Sequence, residues 1–206
     1  MNSRALFSIL LALASFVLTA ADWPQWRGLR GNGISQETGL PVRWSDDEGI
    51  RWKTALPEWG TSTPVVRGNA LFLTSHTDDG KLLVLRLDTL TGKIAWTRKV
   101  GTGKPVYGDR PKRGIQVFHR WHNMASPSAV TADKRVVVDF GTADMAALDF
   151  SGKNLWTRNL QKAHGPFTIW WGFANSSIVN DGRVITVCMQ DSLADRRDQP
   201  VQSYVV

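Results

Sequence analysis

The side chains with the clearest chemical potential lie between Arg98 and Trp121 and just beyond. Seven Lys or Arg residues (98, 99, 104, 110, 112, 113 and 120) stand there against one acid, Asp109. Aromatic and imidazole rings are interleaved with them: Tyr107, Phe118, His119, Trp121 and His122. Cations set between flat rings can grip an anionic polymer, the cations by charge and the rings by stacking. Arg110, Lys112, Arg113, His119, Arg120 and Trp121 are therefore the candidate ligand-binding residues. Seven cations less one anion give the segment +6 of the chain's formal net charge of +7, so the basic balance describes one loop. The competing reading of this loop is a solvated excursion over one face of the fold.

The other reactive side chains form no recognisable constellation. His119 and His122 are three apart, but Pro111 and Gly114 point to loop, and no third metal ligand is in sequence reach. His76 and His164 read as surface or turn residues. Asp46-Asp47-Glu48 and Asp78-Asp79-Gly80 fall where turns are expected and lack the alternating oxygen ligands of a calcium loop. Trp170-Trp171 reads as packing at the entry to a repeat unit, with the wall of a central pocket as the alternative. Residues 191–198 read as an exposed mixed-charge loop. Cys188 is the only cysteine, which excludes an internal disulfide or a Cys-based metal cluster, and it sits in an apolar run like a core residue. No Gly-x-Ser-x-Gly, Gly-Lys-Ser/Thr or His-Glu-x-x-His motif is present. Gly101-Thr-Gly103-Lys-Pro lacks the third glycine and the following helix of a dinucleotide site. No catalytic residue and no metal ligand is assigned.

The elements that position these groups are repeated. Residues 82–96 end a strand at Asp88, turn at Gly92-Lys93 and close on Trp96; residues 146–156 do the same with Asp149, Gly152-Lys153 and Trp156. Each copy follows a hairpin, and a third hairpin turns at Asn180-Asp181-Gly182 between β-branched runs. Third strands are expected at 82–87, 145–148 and 203–206. A further strand is expected over Ile50–Leu56, where Ile50, Trp52, Thr54 and Leu56 share a face by period two. No amphipathic helix is expected. Trp52 and Trp96 are 44 residues apart, the length of one propeller blade; Trp96 and Trp156 are 60 apart because the basic segment is inserted. The fold class is all-β: an incomplete β-propeller of four-stranded antiparallel blades, about two and a half of them plus an N-terminal arm, over residues 22–206.

Residues 1–21 stand apart. Arg4 precedes an uncharged run from Ala5 to Leu18, and Thr19-Ala20-Ala21 offers small residues for cleavage before Asp22. This reads as a signal peptide of a secreted or periplasmic protein, with no further transmembrane segment; the alternative is an uncleaved anchor.

The pattern from Leu87-Asp88 through Thr91-Gly92-Lys93 to Trp96, with its copy from Leu148 to Trp156, resembles the pyrroloquinoline-quinone (PQQ) repeat, or tryptophan-docking motif. That family contains quinoprotein alcohol dehydrogenases and the non-catalytic outer-membrane assembly factor BamB. Trp23-Pro-Gln-Trp26-Arg-Gly, Gly31-Asn-Gly33 and Leu40-Pro-Val-Arg-Trp44 look most like secreted PQQ-like propeller proteins of planctomycete-type bacteria. The resemblance implies a full ring of seven or eight blades, Trp96 and Trp156 docked between blades, and Trp52 on the outer strand of a blade completed by more C-terminal sequence. It also implies PQQ and Ca²⁺ as family cofactors. Those enzymes usually carry an adjacent Cys pair and an acidic cluster around the metal, neither of which appears here. The expected function is an extracytoplasmic binding or scaffold module without catalysis, its partners other extracytoplasmic proteins or anionic glycans and not nucleic acid. The alternatives are part of a PQQ- and calcium-dependent oxidoreductase, and anionic-polysaccharide binding through the basic insertion.

Overall fold

The computed structural model describes residues 22–190 and 203–206. The expected signal peptide and the 191–198 loop lie outside these residues. The first four strands are β1 (Val65–Arg67), β2 (Ala70–His76), β3 (Lys81–Asp88) and β4 (Ile94–Thr102), paired in that order as one antiparallel sheet. Period two splits β3 cleanly. Leu82 and Val84 join Val65 and Phe72 in one buried cluster, whereas Leu83, Leu85 and Leu87 join Leu73 on the opposite face. A sheet apolar on both faces must be covered twice, which is why the unit repeats.

β5 (Val117–Phe118) lies in the basic insertion. The second blade follows as β6 (Val130–Ala132), β7 (Arg135–Asp139), β8 (Asp144–Asp149) and β9 (Asn154–Asn159), again paired in chain order. Its Val136, Val138, Ala146 and Leu148 close the cluster begun by the first blade; Val137, Met145 and Ala147 face the third unit. That unit holds the hairpin β11 (Ile178–Asn180) and β12 (Arg183–Ile185), then β13 (Val187–Cys188) paired with β14 (Tyr204–Val205). Thr186 and Val206 exchange both backbone hydrogen bonds at 3.0 Å, so β12 and β13 run as one strand with β14 third. The molecule is nearly all β, a partial propeller of four-stranded antiparallel blades.

Three expectations differ from the structure. A short helix, α1 (Leu160–His164), follows β9; Asn159 caps it by accepting from Lys162 N–H, and only Leu160 is buried. Five residues are too few to write a helical period. The expected strand over 50–56 does not form, because no described strand lies alongside it to complete a ladder. The second blade starts at Val130, not Ser126: Pro127 has no N–H, and Ser128 spends its polar groups across blades. Thr63 N–H donates to Ser128 Oγ at 2.9 Å, and Ser128 N–H donates to Ser176 Oγ at 2.9 Å. Hydroxyls thus link the inner edges of all three units.

The outer edges are linked by tryptophan. The Trp52 indole N–H donates to Thr89 O at 3.0 Å and Thr54 Oγ1 to Gly92 O at 2.6 Å. One blade on, Trp96 Nε1 donates to Phe150 O at 3.0 Å and Arg98 Nε to Gly152 O at 3.1 Å. In each case a Trp and the residue two places later hold the glycine turn of the next blade. A β-bulge immediately precedes both Trp96 and Trp156, which pair with Arg86 and Ala147 in the ladder. The second turn is one residue shorter, closing from Gly152 N–H to Asp149 O where the first closes from Gly92 N–H to Asp88 O. Both aspartates tie their turns with Oδ1, and hydrogen bonds from the turn hold each carboxyl below its usual range. Trp156 is half-buried in a groove of about 410 Å³ bordered by Val184, Thr186 and Val206 of the third unit.

Glycine is required at these turns twice over. Gly92 has φ +69°, and a Cβ there would overlap the Trp52 ring, 2.8 Å from its Cγ. Gly92→Ala is expected to cost about 2–4 kcal/mol in urea unfolding, backbone strain adding to the lost seat of the indole. Gly68→Ala is the control: its φ is also positive, but nothing lies within 4 Å, so it reads the strain alone.

Candidate ligand-binding face

The basic insertion is only partly a loop. Arg98 and Lys99 lie within β4, so the excursion begins only after Thr102. Its second half is core. Val117 and Phe118 are 0% and 1% exposed, and β5 pairs in parallel with β10 (Trp170–Trp171). Phe118 N–H donates to Val106 O at 2.8 Å, Gly108 N–H to Phe118 O at 3.0 Å, and Gln116 Nε2 to Gly141 O at 2.7 Å. Phe173 N–H donates to Gln116 Oε1 at 2.6 Å. The insertion is thereby sewn to the second blade and to the start of the third unit.

Sewing leaves its polar tip outside. Arg110, Lys112, Arg113, Arg120 and Trp121 are exposed, Trp121 at 77%. His119 is half-buried, stacked on Trp171 with centroids 4.2 Å apart and edge-on to Trp121 at 5.2 Å. The Arg120 guanidinium lies 5.1 Å from the centre of the Trp121 ring. Trp170-Trp171 therefore supports the insertion.

The six candidate residues do not converge. Arg120 and Trp121 line a cavity of about 650 Å³ between the insertion and the β2–β3 turn. His119 lies behind them, and Arg110, Lys112 and Arg113 lie farther along the insertion, around the bridge from Lys112 to Ile115. The opposite wall is Trp59, His76 and Asp78, with Lys104 and Tyr107 between. Trp59 is fixed by two backbone bonds to His76, at 3.1 and 2.8 Å, and by Nε1–H donating to Asp78 Oδ1 at 2.8 Å; its ring stacks on His76 at 6.5 Å. Glu58 takes the Asp78 backbone N–H.

His76 is a correction. It is not a surface residue after a strand but the last residue of β2, 5% exposed. Its Nε2 is buried without a partner, as are both ring nitrogens of His122, whose ring stacks on Phe118. Burial lowers both imidazoles below their usual range, and for His76 the nearby Thr77 carbonyl, Asp78 and Glu58 pull back only in part. Burial and the Asp78 charge raise the Tyr107 phenol. Burial thus favours the neutral imidazole at both positions. Trp59, His76 and Lys104 were not legible as site residues, since they stand 17 to 45 positions apart on three different segments.

Residues 34–194 match the family model described as outer membrane protein assembly factor BamB. The chain belongs to this family. The BamB structure from Moraxella catarrhalis is similar at 17% identity over 66% of this chain and 33% of that one, with a TM-score of 0.42. Quinohemoprotein alcohol dehydrogenase from Comamonas testosteroni is similar at 16% identity over 81% of this chain and 23% of that one, with a TM-score of 0.49. The chain thus spans a third or less of the length of these relatives. No curated protein matches it significantly.

The repeat motif's resemblance implies PQQ and Ca²⁺, and the described residues offer no donor set that fits them. Cys188 is a lone thiol buried in the third unit, and burial raises it. Asp78 accepts from Trp59, and Asp79 accepts from Thr77 and pairs with Lys81 at 2.7 Å, which together hold it down at about 2. Asp46 pairs with Lys53 at 2.5 Å. Among the described residues no three His, Cys, Asp or Glu side chains gather where they could hold a metal ion. No helix of the described residues is long and apolar enough to cross a membrane.

Proposed function

We propose that this chain is an extracytoplasmic binding module of the BamB type, exported by residues 1–21, whose blades hold the basic insertion as a recognition face and carry no catalysis of their own. The observation that carries the reading is the contrast within the insertion. Phe118 is locked in the core, while Arg110, Lys112, Arg113 and Trp121 stand exposed on the same short segment. A rigid base under cationic and aromatic side chains suits binding, because little loop entropy is lost when a partner docks. The partner it fits is another extracytoplasmic protein with an acidic surface; the positive field speeds encounter and makes association salt-dependent. The assembly role in the family's description supports a protein partner.

A photo-crosslinking residue in place of Ile115, 41% exposed beside the cationic tip, tests this in the producing cell. A discrete protein adduct is expected, lost at high salt and lost when Arg110, Lys112 and Arg113 are replaced by Glu. No adduct, or an adduct indifferent to both changes, contradicts the reading. So does saturable dye-linked alcohol oxidation by the purified protein supplied with PQQ and Ca²⁺.

A further inference from the structure

The cavity beside the insertion has a chemistry of its own. Three aromatic rings border it and remain open to solvent: Trp59 is 54% exposed, Tyr107 49% and Trp121 77%. Exposed indoles are costly to leave in water, and here each is fixed. Trp59 is pinned by His76 and Asp78, and Trp121 by Arg120 and His119. His76 and His122 also line it, and His76 Nε2 and both nitrogens of His122 are buried within the protein and make no hydrogen bond. Buried polar atoms without partners are rare because each forfeits its hydration. As the rings stand these nitrogens have no open surface, so a ligand hydroxyl recovers that cost only where an imidazole turns toward the cavity.

We propose that this cavity binds an acidic sugar residue of a polysaccharide: a pyranose ring bearing a carboxylate. The ring's C–H faces match the indoles, which bind flat apolar surfaces without needing aromatic partners. Its hydroxyls both donate and accept, and neutral imidazoles ask for that combination, since each offers one N–H and one lone pair. A planar aromatic ligand would fill the same space but leave the imidazole nitrogens unmet. Lys104 and Arg120 lie on the lining and supply charge for the carboxylate, Arg120 with the forked geometry that matches it. Asp78 is the acid on the lining, and its Oδ1 is already engaged by the Trp59 N–H. A volume of about 650 Å³ exceeds one sugar ring and leaves room for flanking residues of a chain.

The inference rests on the chain being a binding module; the cavity shares Trp121 with the face proposed to meet a protein, but not Arg110, Lys112 or Arg113. Trigalacturonate is the probe and maltotriose the neutral comparator, both titrated calorimetrically into the full chain. Trigalacturonate is expected to bind saturably, and maltotriose at least about tenfold more weakly, the equivalent of about 1.4 kcal/mol. Trp121→Ala, at an exposed position that folding does not depend on, is expected to weaken trigalacturonate about tenfold, and His76→Gln severalfold, with unchanged circular dichroism. Glu at Arg110, Lys112 and Arg113 is expected to leave sugar affinity within about twofold while removing the protein crosslink. The proposal is overturned by no saturable trigalacturonate binding, by equal binding of maltotriose, or by Trp121→Ala leaving affinity unchanged. Loss of sugar binding in the triple Glu variant also overturns it, because the ligand would then sit on the outer insertion.

Discussion

Trp96→Ala lowers the unfolding free energy by about 3–5 kcal/mol, the largest single-residue loss expected in this chain. The side chain is 9% exposed and is wedged between the first blade and the turn of the second. Its ring contacts Phe72, with centroids 5.9 Å apart, and its indole N–H is the donor that Phe150 O receives across the blade boundary. Removing it opens a void between two sheets that cannot both collapse into it, because Phe72 and Phe150 are already packed at 4.9 Å. Urea unfolding followed by circular dichroism measures the loss. Trp96→Phe, which keeps much of the ring but not the N–H, is expected to lose about half as much. A cost below about 1 kcal/mol for Trp96→Ala would mean that the blades are not held together there.

Asp139→Asn is expected to do the reverse and stabilise the protein at neutral pH. Asp139 ends β7 at 1% exposure, with Ser177 N–H donating to Oδ2 at 3.2 Å and Oδ1 unpartnered. Burial pushes its carboxyl up to about 6, hydrogen bonding from Ser177 opposing it only in part. The folded state therefore holds the proton more tightly than the unfolded chain, whose carboxyl titrates near 4. Stability associated with this group is complete below about pH 4 and is lost as pH rises through about 6, to a total of about 3 kcal/mol. The amide carries no charge to desolvate, so Asp139→Asn should gain about 1–3 kcal/mol at pH 7.5 and little at pH 4.5. Urea midpoints at the two pH values decide it. An Asn variant destabilised by the same amount at both would mean that the carboxylate is held charged by a partner.

The scaffold was legible because it is periodic. β3 and β8 announce themselves by alternation, the hairpin turns by Asn-Asp-Gly and its relatives, and the blade length by the spacing of Trp52 and Trp96. The extra residue between Asp88 and Trp96 relative to its copy is absorbed inside the turn, which is why both tryptophans keep the same bulge. What misled was locality. His76 follows a run of strand residues and precedes a turn, so it reads as exposed; Trp59 and the insertion bury it, and neither adjoins it in sequence. The basic segment reads as one loop by charge, yet β5 at its end pairs with a strand more than 50 residues away. Segment 50–56 has the correct alternation but no neighbour, and alternation alone supplies no hydrogen-bonding partner. The paired indole N–H and the residue two places on could have been noticed as Trp52/Thr54 and Trp96/Arg98, but the glycine carbonyls that they reach belong to the next blade.

The central claim is that each tryptophan locks its blade to the glycine turn of the following one. A double-mutant cycle between Trp96→Phe and Gly152→Ala tests it directly. A Cβ on Gly152 would stand 3.0 Å from Trp96 Cδ2 and Cε2, so the added methyl should hurt less once the indole is replaced by the smaller ring. The strain of φ +87° at Gly152 is common to both backgrounds and cancels. A coupling of about 1–3 kcal/mol is expected from urea unfolding of the four proteins. Additive effects, with coupling below about 0.3 kcal/mol, would mean that the indole and the turn do not bear on one another, and the lock between blades would be contradicted.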